Sequence, residues 1–239
     1  MRIAIVSDVH GNLTAFEAVL ADLRVTAPDL ILHGGDLGDN GSSPCEVVDR
    51  IRDLGWQGVA GNTDEMLFDP DSLARFAAGL PQLKALFDTI GEMAAYSREL
   101  MGEARLAWLR ALPREQVHEG FALVHATPAS AWRSPMDSAV DGDLESAYGV
   151  LGRRVVAYGH IHRPFVRRIG GLVVANSGSV GQPHDGDRRA SYLLLDDGEP
   201  SIRRVEYDVA RELSALRSSR LPHADWVARI VETASPQMP

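Results

Sequence analysis

The chain has 239 residues, 45% of them hydrophobic, which is enough for a sizeable core in one domain. Its 33 acidic and 24 basic residues give a formal net charge of -9, so bulk charge offers no general affinity for nucleic acid or anionic membranes. If a protein this acidic binds an anionic ligand such as phosphate, the positive charge must be supplied locally, and bound metal ions are the obvious source.

Cys45 is the only cysteine, which excludes an intrachain disulfide and a thiolate-rich zinc site. The apolar run at residues 3–6 is too short for the core of a signal peptide, and no later run approaches a membrane span. We therefore expect a cytoplasmic protein with no membrane partner.

The N-terminal segment reads as a strand followed by a helix. Residues 3–6 are apolar and β-branched, as in a strand that is covered on both faces. Asn12 is placed to cap a helix that ends before Pro28, and one apolar stripe runs along it: Leu13, Phe16, Leu20 and Leu23.

A second strand is predicted at residues 30–32, a second helix from Ser43 and Pro44, and a third strand at residues 56–60. Strands and helices that alternate with short joints indicate parallel α/β units, so the predicted fold class is α/β.

A mainly helical insertion is predicted from about residue 66 to residue 112, with Pro81, Gly91 and Gly102 as breaks. Short apolar runs then return and predict the other half of a β-rich core: residues 121–124, 155–158, 172–175, 192–195 and 202–207. We expect one domain over residues 1–239, with a surface tail from about 221 to 239 that carries one amphipathic segment around residues 226–230.

Metal-ligand side chains follow almost every predicted strand, at the carboxyl end where ligands of open α/β sheets bind: Asp8, His10, Asp36, Asn62, Asp64, His125, His160 and His162. Residues two apart in an extended segment point the same way, so Asp8 with His10, and His160 with His162, are each expected to face one cavity. Oxygen and imidazole ligands without thiolate suit manganese, iron, zinc or a similar divalent ion in a catalytic site.

Five motifs contain these residues, in the order SDVHGN, GGDLGD, GNTD, VHATP and GHIH. Their order and their placement after strands resemble the motif series of calcineurin-like metallophosphoesterases. Within that superfamily the chain is most similar to the small bacterial phosphodiesterases and diadenosine tetraphosphatase-like enzymes. The resemblance implies a four-layer α-β-β-α sandwich.

The resemblance also implies two divalent metal ions, of manganese, iron, zinc or nickel. One would be held by Asp8, His10, Asp36 and His162, and the other by Asp36, Asn62, His125 and His160. Asp36 would bridge them, and a hydroxide between the metals would attack phosphorus. The catalytic residues implied are Asp36, Asn62 and Asp64, of which Asp64 orients a ligand.

Thr63 departs from the family pattern, because many relatives have a histidine there that is thought to protonate the leaving oxygen. A threonine hydroxyl is no acid near neutral pH. We therefore expect either substrates with good leaving groups, such as diesters, anhydrides or aryl esters, or transfer of the acid's role to water or another histidine. A branch of the small bacterial phosphodiesterases also lacks this histidine.

The predicted function is hydrolysis of a small phosphate-containing substrate, with phosphodiesters favoured. The alternatives are a phosphomonoesterase or phosphoprotein phosphatase, a diadenosine tetraphosphatase, and a nonenzymatic scaffold on the same fold. A homodimer is the default expectation for a soluble enzyme, although no sequence feature demands it.

Several other polar residues have two readings. His33 is either a strand residue packed against a helix or a substrate contact, and Arg163 either binds a phosphate oxygen or forms a surface ion pair. The segment 176–183 resembles a glycine-rich turn near the site, with Ser177 in place of a usual proline, or is only a turn between strands. We expect the remaining histidines to be solvated: His118, His184 and His223.

Overall fold

Two β-sheets lie face to face between layers of helices in the computed structural model, which describes residues 1–239. The strands are β1 (Arg2–Val6), β2 (Leu30–His33), β3 (Gln57–Gly58), β4 (Glu115–Val117), β5 (Phe121–Val124), β6 (Val155–Tyr158), β7 (Phe165–Ile169), β8 (Leu172–Asn176), β9 (Ala190–Asp196) and β10 (Glu199–Val205). The α-helices are α1 (Leu13–Thr26), α2 (Pro44–Asp53), α3 (Asn62–Phe68), α4 (Ser72–Ala77), α5 (Lys84–Arg110), α6 (Asp141–Tyr148), α7 (Val209–Ser218) and α8 (Ala224–Thr233).

The first sheet has the strand order β10-β9-β1-β2-β3, and the second has the order β4-β5-β6-β8-β7. Strands β1, β2 and β3 are parallel, with Ile3 opposite Leu30 and Val6 opposite His33. Strands β5, β6 and β8 are parallel in the second sheet. The carboxyl ends of each parallel set therefore share one edge, where the predicted ligands lie.

Successive side chains along each strand point to opposite faces of its sheet, so the strands contribute to apolar clusters on both faces. Ile3 and Ile5 of β1 pack between the sheets with inward residues of β5, β6, β8 and β9. Ala4 and Val6 face the other way, against α1, α2 and α5. The outer face of the second sheet is covered by α6 through Leu144 and Tyr148. This is the predicted α/β sandwich with four layers.

Helix α1 begins and ends near the predicted positions. The Asn12 side chain accepts a hydrogen bond from the Ala15 backbone N–H at 2.9 Å, which satisfies a free amide of the first turn. The helix ends at Thr26, where Ala27 adopts a left-handed conformation just before Pro28.

The segment predicted as a helical insertion contains the end of α3 and all of α4 and α5, so it is mainly helical in the structure. Pro81 opens a short 3-10 turn ahead of α5, and Gly102 breaks that helix with φ 66 and ψ 163. The break expected at Gly91 was wrong, because Gly91 lies within the regular part of α5.

Two edge strands of the second sheet, β4 and β7, were not predicted. Strand β4 has only three residues, and β7 carries Arg167 and Arg168. Short, charged strands are typical of sheet edges and lack the apolar signal of central strands.

The C-terminal tail forms α8, which contains the predicted amphipathic segment at residues 226–230 and extends beyond it at both ends. One side of α8 is buried through Trp226, Val227 and Ile230, which pack with residues of α5 and α7 such as Met93 and Leu213. The helix therefore adds a separate apolar cluster on the outside of the first sheet's helical layer. No helix in the chain is both long enough and apolar enough to cross a membrane.

Candidate metal centre

Most of the predicted ligands sit in an unusual backbone conformation. Positive φ angles, which L-residues rarely adopt, occur at Asp8 (56), His10 (47), Asp36 (56), His160 (68) and His162 (56). Such angles cost free energy and persist where the surrounding structure imposes them, often at functional sites.

The convergence of Asp8 with His10, and of His160 with His162, has a different cause from the predicted one. These residues lie in the loops after β1 and β6 and have positive φ angles, so the backbone is not extended there. The left-handed turns bring the side chains together, so the prediction of the pairing is correct but its geometric reason was wrong.

Four predicted ligands form one tight cluster. The ligand atoms of Asp8, His10, Asp36 and His162 all lie within 4.8 Å of one another, and all four side chains are buried. The His162 Nε2 atom is 3.2 Å from Asp8 Oδ1, and His10 Nε2 is 3.7 Å from Asp36 Oδ2.

The remaining predicted ligands adjoin this cluster through Asp36. The His125 Nε2 atom is 3.4 Å from Asp36 Oδ2 and 3.0 Å from Asn62 Oδ1. The His160 Nδ1 atom is 2.9 Å from the same amide oxygen. All seven residues therefore meet in one place, and Asp36 belongs to both groups.

The donor atoms in the cluster fit divalent cations. Ring nitrogen Nδ1 donates to a backbone carbonyl in three histidines: His10 to Asp39 (3.2 Å), His125 to Gly34 (2.7 Å) and His162 to Gln182 (2.6 Å). In a neutral imidazole this leaves a lone pair on Nε2. The Nε2 atoms of His10 and His162 are 3.2 Å apart, so both are placed to bind one shared cation.

Asp36 and His125 stabilise each other's charged forms within the cluster. Burial alone would raise the pKa of Asp36, but the charge of His125 and its hydrogen bond hold that pKa far below its usual range. Burial likewise works against a charged His125, yet Asp36 raises the pKa of His125 to about 10. A proton on His125 thus supplies positive charge where a bound cation would replace it.

Two imidazoles of the cluster, His10 and His160, differ from His125, whereas the pKa of His162 is raised, because the charge and hydrogen bond of Asp8 outweigh burial. Burial, with repulsion from His162, lowers the pKa of His10 to about 4. Burial, with repulsion from His125, lowers the pKa of His160 to about 4. Both rings are therefore neutral near pH 7, which is the form that binds metal ions.

The Asp64 carboxylate holds the loop of Asp36 in place. It accepts backbone N–H bonds from Asp36 (2.8 Å), Leu37 (3.0 Å) and Gly61 (2.9 Å). The Thr63 backbone N–H donates to Asp36 Oδ1 at 2.9 Å. These contacts suit the predicted orienting role of Asp64, whose part in catalysis stays a prediction.

Thr63 is buried, with only 5% of its surface exposed, and its hydroxyl oxygen has no hydrogen-bond partner. Its contact with the cluster is made by the backbone alone. A hydroxyl is no acid near neutral pH, so this side chain supplies no general acid.

Two residues of the glycine-rich turn at 176–183 contact the cluster directly. Ser179 Oγ donates to the Asp8 carbonyl at 2.7 Å, and the Gln182 carbonyl accepts from His162. The segment is therefore both a turn between β8 and β9 and a support for the ligands.

Some supporting residues escaped sequence analysis. Asp39 lies in the GGDLGD motif, but only its carbonyl contacts His10, which no sequence pattern indicates. His184 was expected to be solvated, and this was wrong: its ring stacks on His162 with centroids 4.4 Å apart. Burial lowers the pKa of His184 to about 2.

The other polar residues in question lie outside the cluster. His33 is fully buried and packs against Trp108, with ring centroids 5.9 Å apart. Arg163 forms an ion pair with Asp137 at 3.7 Å, and His223 is exposed beside Glu92. His118 is partly buried and stacks on Phe121.

Sequence comparison assigns the family. The family model for the calcineurin-like phosphoesterase superfamily domain matches residues 1–198. An uncharacterised protein of Methanocaldococcus jannaschii is 31% identical over 249 residues, covering 94% of this chain and 95% of that protein. The chain belongs to the calcineurin-like phosphoesterase superfamily, and the resemblance predicted from the motifs is confirmed.

Solved structures agree on the fold. A metallophosphoesterase from Sphaerobacter thermophilus is 25% identical, with a TM-score of 0.79, and 98% of this chain and 99% of that one are covered. A hypothetical protein from Pyrococcus horikoshii OT3 is 18% identical, with a TM-score of 0.83 and 99% of both chains covered. The predicted α-β-β-α sandwich is therefore confirmed.

Proposed function

We propose that this protein hydrolyses phosphodiesters or related phosphate compounds of small size, using two divalent metal ions. The single observation that carries the proposal is the sharing of Asp36 between two groups of ligand atoms. Its Oδ2 atom lies 3.7 Å from His10 Nε2 and 3.4 Å from His125 Nε2. A carboxylate that lies between two sets of ligand atoms is the arrangement that a pair of cations needs.

Asp8, His10, Asp36 and His162 would hold one cation, and Asp36, Asn62, His125 and His160 the other. When bound, such ions neutralise phosphoryl oxygens and lower the pKa of water from about 15.7 toward about 7. Manganese is our first choice for the assay, because oxygen and imidazole ligands suit it.

The protein's own residues then hold geometry and charge. Asp64 fixes the loop that carries Asp36, and the carbonyls of Gly34 and Gln182 fix the rings of His125 and His162. Rigid ligands of this kind require no reorganisation as charge redistributes in the transition state.

The proposed preference for phosphodiester substrates is based on Thr63. Its buried hydroxyl provides no proton for a leaving oxygen, so substrates whose leaving group departs as a stable anion are favoured. A phosphomonoesterase, a phosphoprotein phosphatase and a diadenosine tetraphosphatase remain the enzymatic alternatives. A nonenzymatic scaffold is the third class, and the complete ligand set argues against it.

We further propose that the substrate is small, that the protein acts in the cytoplasm, and that it binds neither nucleic acid in general nor membranes. The net charge of -9 supports the expectation for nucleic acid and membranes. A homodimer stays the default proposal for the assembly.

The test is hydrolysis of bis(p-nitrophenyl) phosphate and p-nitrophenyl phosphate by metal-stripped protein to which manganese is returned. We expect manganese-dependent turnover of both, with a higher kcat/KM for the diester. Asp36→Ala should abolish it, whereas Asp88→Ala, which removes an exposed carboxylate of α5 paired with Lys84, should not.

A higher kcat/KM for the monoester would replace the phosphodiesterase proposal with the phosphatase alternative. Tight manganese binding without turnover of either ester, with zinc, iron and nickel equally inactive, would favour the scaffold. Turnover that survives Asp36→Ala would remove the proposed metal centre from the mechanism.

A further inference from the structure

A small cavity lies beside the metal cluster, on the side of the second sheet. Its volume is about 170 Å³, and its wall includes Arg114, His125, Thr127 and Ser130. About six water molecules occupy that volume in liquid water. Because His125 belongs to the cluster, any group that fills this cavity lies next to the proposed reaction centre.

Arg114 is the only arginine, lysine or carboxylate on the cavity wall. It brings a guanidinium, paired with Glu65 on one side, next to the metal cluster in a protein of net charge -9. Its side chain is 57% exposed, so the guanidinium is reachable from solvent. The cavity therefore offers an exposed guanidinium to a small anion.

Arg114 is also held in place. Its Nη2 donates to Glu65 Oε1 at 3.0 Å, and the other oxygen of Glu65 accepts from Trp132 Nε1 at 3.0 Å. The Glu65 side chain is only 12% exposed, which makes it a firm anchor. One guanidinium nitrogen is thus committed, and the remaining N–H groups are free to bind an anion in a forked geometry.

A hydroxyl completes the wall. Ser130 Oγ accepts the Trp132 backbone N–H at 3.0 Å, which leaves its own O–H able to donate. A guanidinium and a hydroxyl with free donors match the several acceptor oxygens of a phosphate group.

We propose that this cavity binds a second phosphate group of the substrate, with Arg114 as the residue that selects for it. The proposal rests on the proposed function, since the first phosphate is the one at the metal centre. A neighbouring cavity of about 390 Å³, which shares Ser130 and is lined by Trp132 and Arg133, leaves room for whatever the second phosphate carries.

The test compares two ligands that resist hydrolysis, methylenediphosphonate and methylphosphonate, on the manganese-loaded protein by isothermal titration calorimetry. We expect the wild type to prefer the diphosphonate. Arg114→Gln should reduce that preference at least about tenfold, because a hydrogen-bonded charge pair is lost. Chelation of manganese by the ligand affects wild type and variant alike and cancels in the ratio.

Arg110→Gln is the matched control, since Arg110 donates to the Phe68 carbonyl and lies on neither cavity wall. It should keep the wild-type preference. Arg114→Lys retains the charge without the fork and should restore part of the preference, which separates binding from a folding defect.

An unchanged preference in Arg114→Gln would overturn this subsite, even if ester hydrolysis were confirmed. Equal affinity of the wild type for the two ligands would do the same. Conversely, a preference that depends on Arg114 in a protein without esterase activity would leave the subsite in place and remove the proposed function.

Discussion

The two sheets contribute different halves of the metal cluster. Loops that follow strands of the first sheet carry mainly oxygen ligands: Asp8, Asp36 and Asn62, with His10 as the one imidazole. Loops of the second sheet carry only imidazoles: His125, His160 and His162. The first half therefore supplies the carboxylates, and the second supplies only imidazole nitrogens.

The two halves are also held in different ways. In the first half, a carboxylate accepts hydrogen bonds from backbone N–H groups: Asp64 accepts one from the N–H of Asp36 and so holds its loop. In the second, the rings of His125 and His162 donate to backbone carbonyls. Carboxylate support is removable by mutation of one side chain, whereas carbonyl support is not.

The halves also support each other across the sheets. His125 of the second half donates to the Gly34 carbonyl of the first, and Asp8 of the first accepts the His160 backbone N–H at 3.1 Å. Neither half is complete without the other, so the site depends on the packing of the two sheets.

The largest effect is expected from the residue that contacts both halves. Asp36→Asn removes the charge between His10 and His125 and should lower kcat/KM for the diester by at least about a thousandfold. Steady-state kinetics against the Asp88→Asn control measures it. A loss below tenfold would mean that the halves do not need a shared charge.

Asp64→Asn tests the support of the first half alone. The amide N–H of asparagine would face backbone N–H donors, so the loop of Asp36 should loosen and manganese should bind about 10–100-fold more weakly. Calorimetric titration with manganese is the measurement. An unchanged affinity would show that the loop keeps its shape without this carboxylate.

His33→Leu tests how much of the pH dependence of stability comes from His33 on β2 and how much from the metal cluster. Burial lowers the pKa of His33 to about 3, and neither ring nitrogen has a hydrogen-bond partner. At pH values below about 6.5, the usual pKa of histidine, His33 is protonated in the unfolded chain but stays neutral in the folded chain. The free energy of unfolding therefore falls as the pH falls from about 6.5 toward about 3.

When the pH is lowered from 8 to 5, protonation of His33 in the unfolded chain should reduce the unfolding free energy of the wild type by about 2 kcal/mol. His33→Leu lacks this group and should not show that reduction. Urea unfolding at the two pH values checks this difference. If both proteins lose the same stability, the proton uptake belongs to the cluster imidazoles instead.

The smallest effect concerns a helix cap near the first half. Asn12→Ala removes the cap of α1 and the bond from Asn12 Nδ2 to the Gly181 carbonyl, and should cost about 1 kcal/mol of stability. Asp208→Ala, which removes the cap of α7, should cost about the same. Only Asn12→Ala should also weaken manganese binding, because Gly181 lies in the turn that supports Asp8.

Local patterns predicted much of this molecule. The β-branched run of β1, the cap at Asn12 and the apolar stripe of α1 depend on neighbours in the chain, and the structure has all three. The edge strands β4 and β7 were missed, because an edge strand needs no apolar periodicity to pair on one side.

The sequence alone determined the family and the residue types that meet at the strand ends, because motifs and strand patterns are local. Only the tertiary structure decided the left-handed turns, the stacking of His184 on His162 and the anchoring of Arg114 by Glu65. These features arise where two sheets and their loops pack together. Contacts between residues far apart in the chain leave no periodic trace in the sequence.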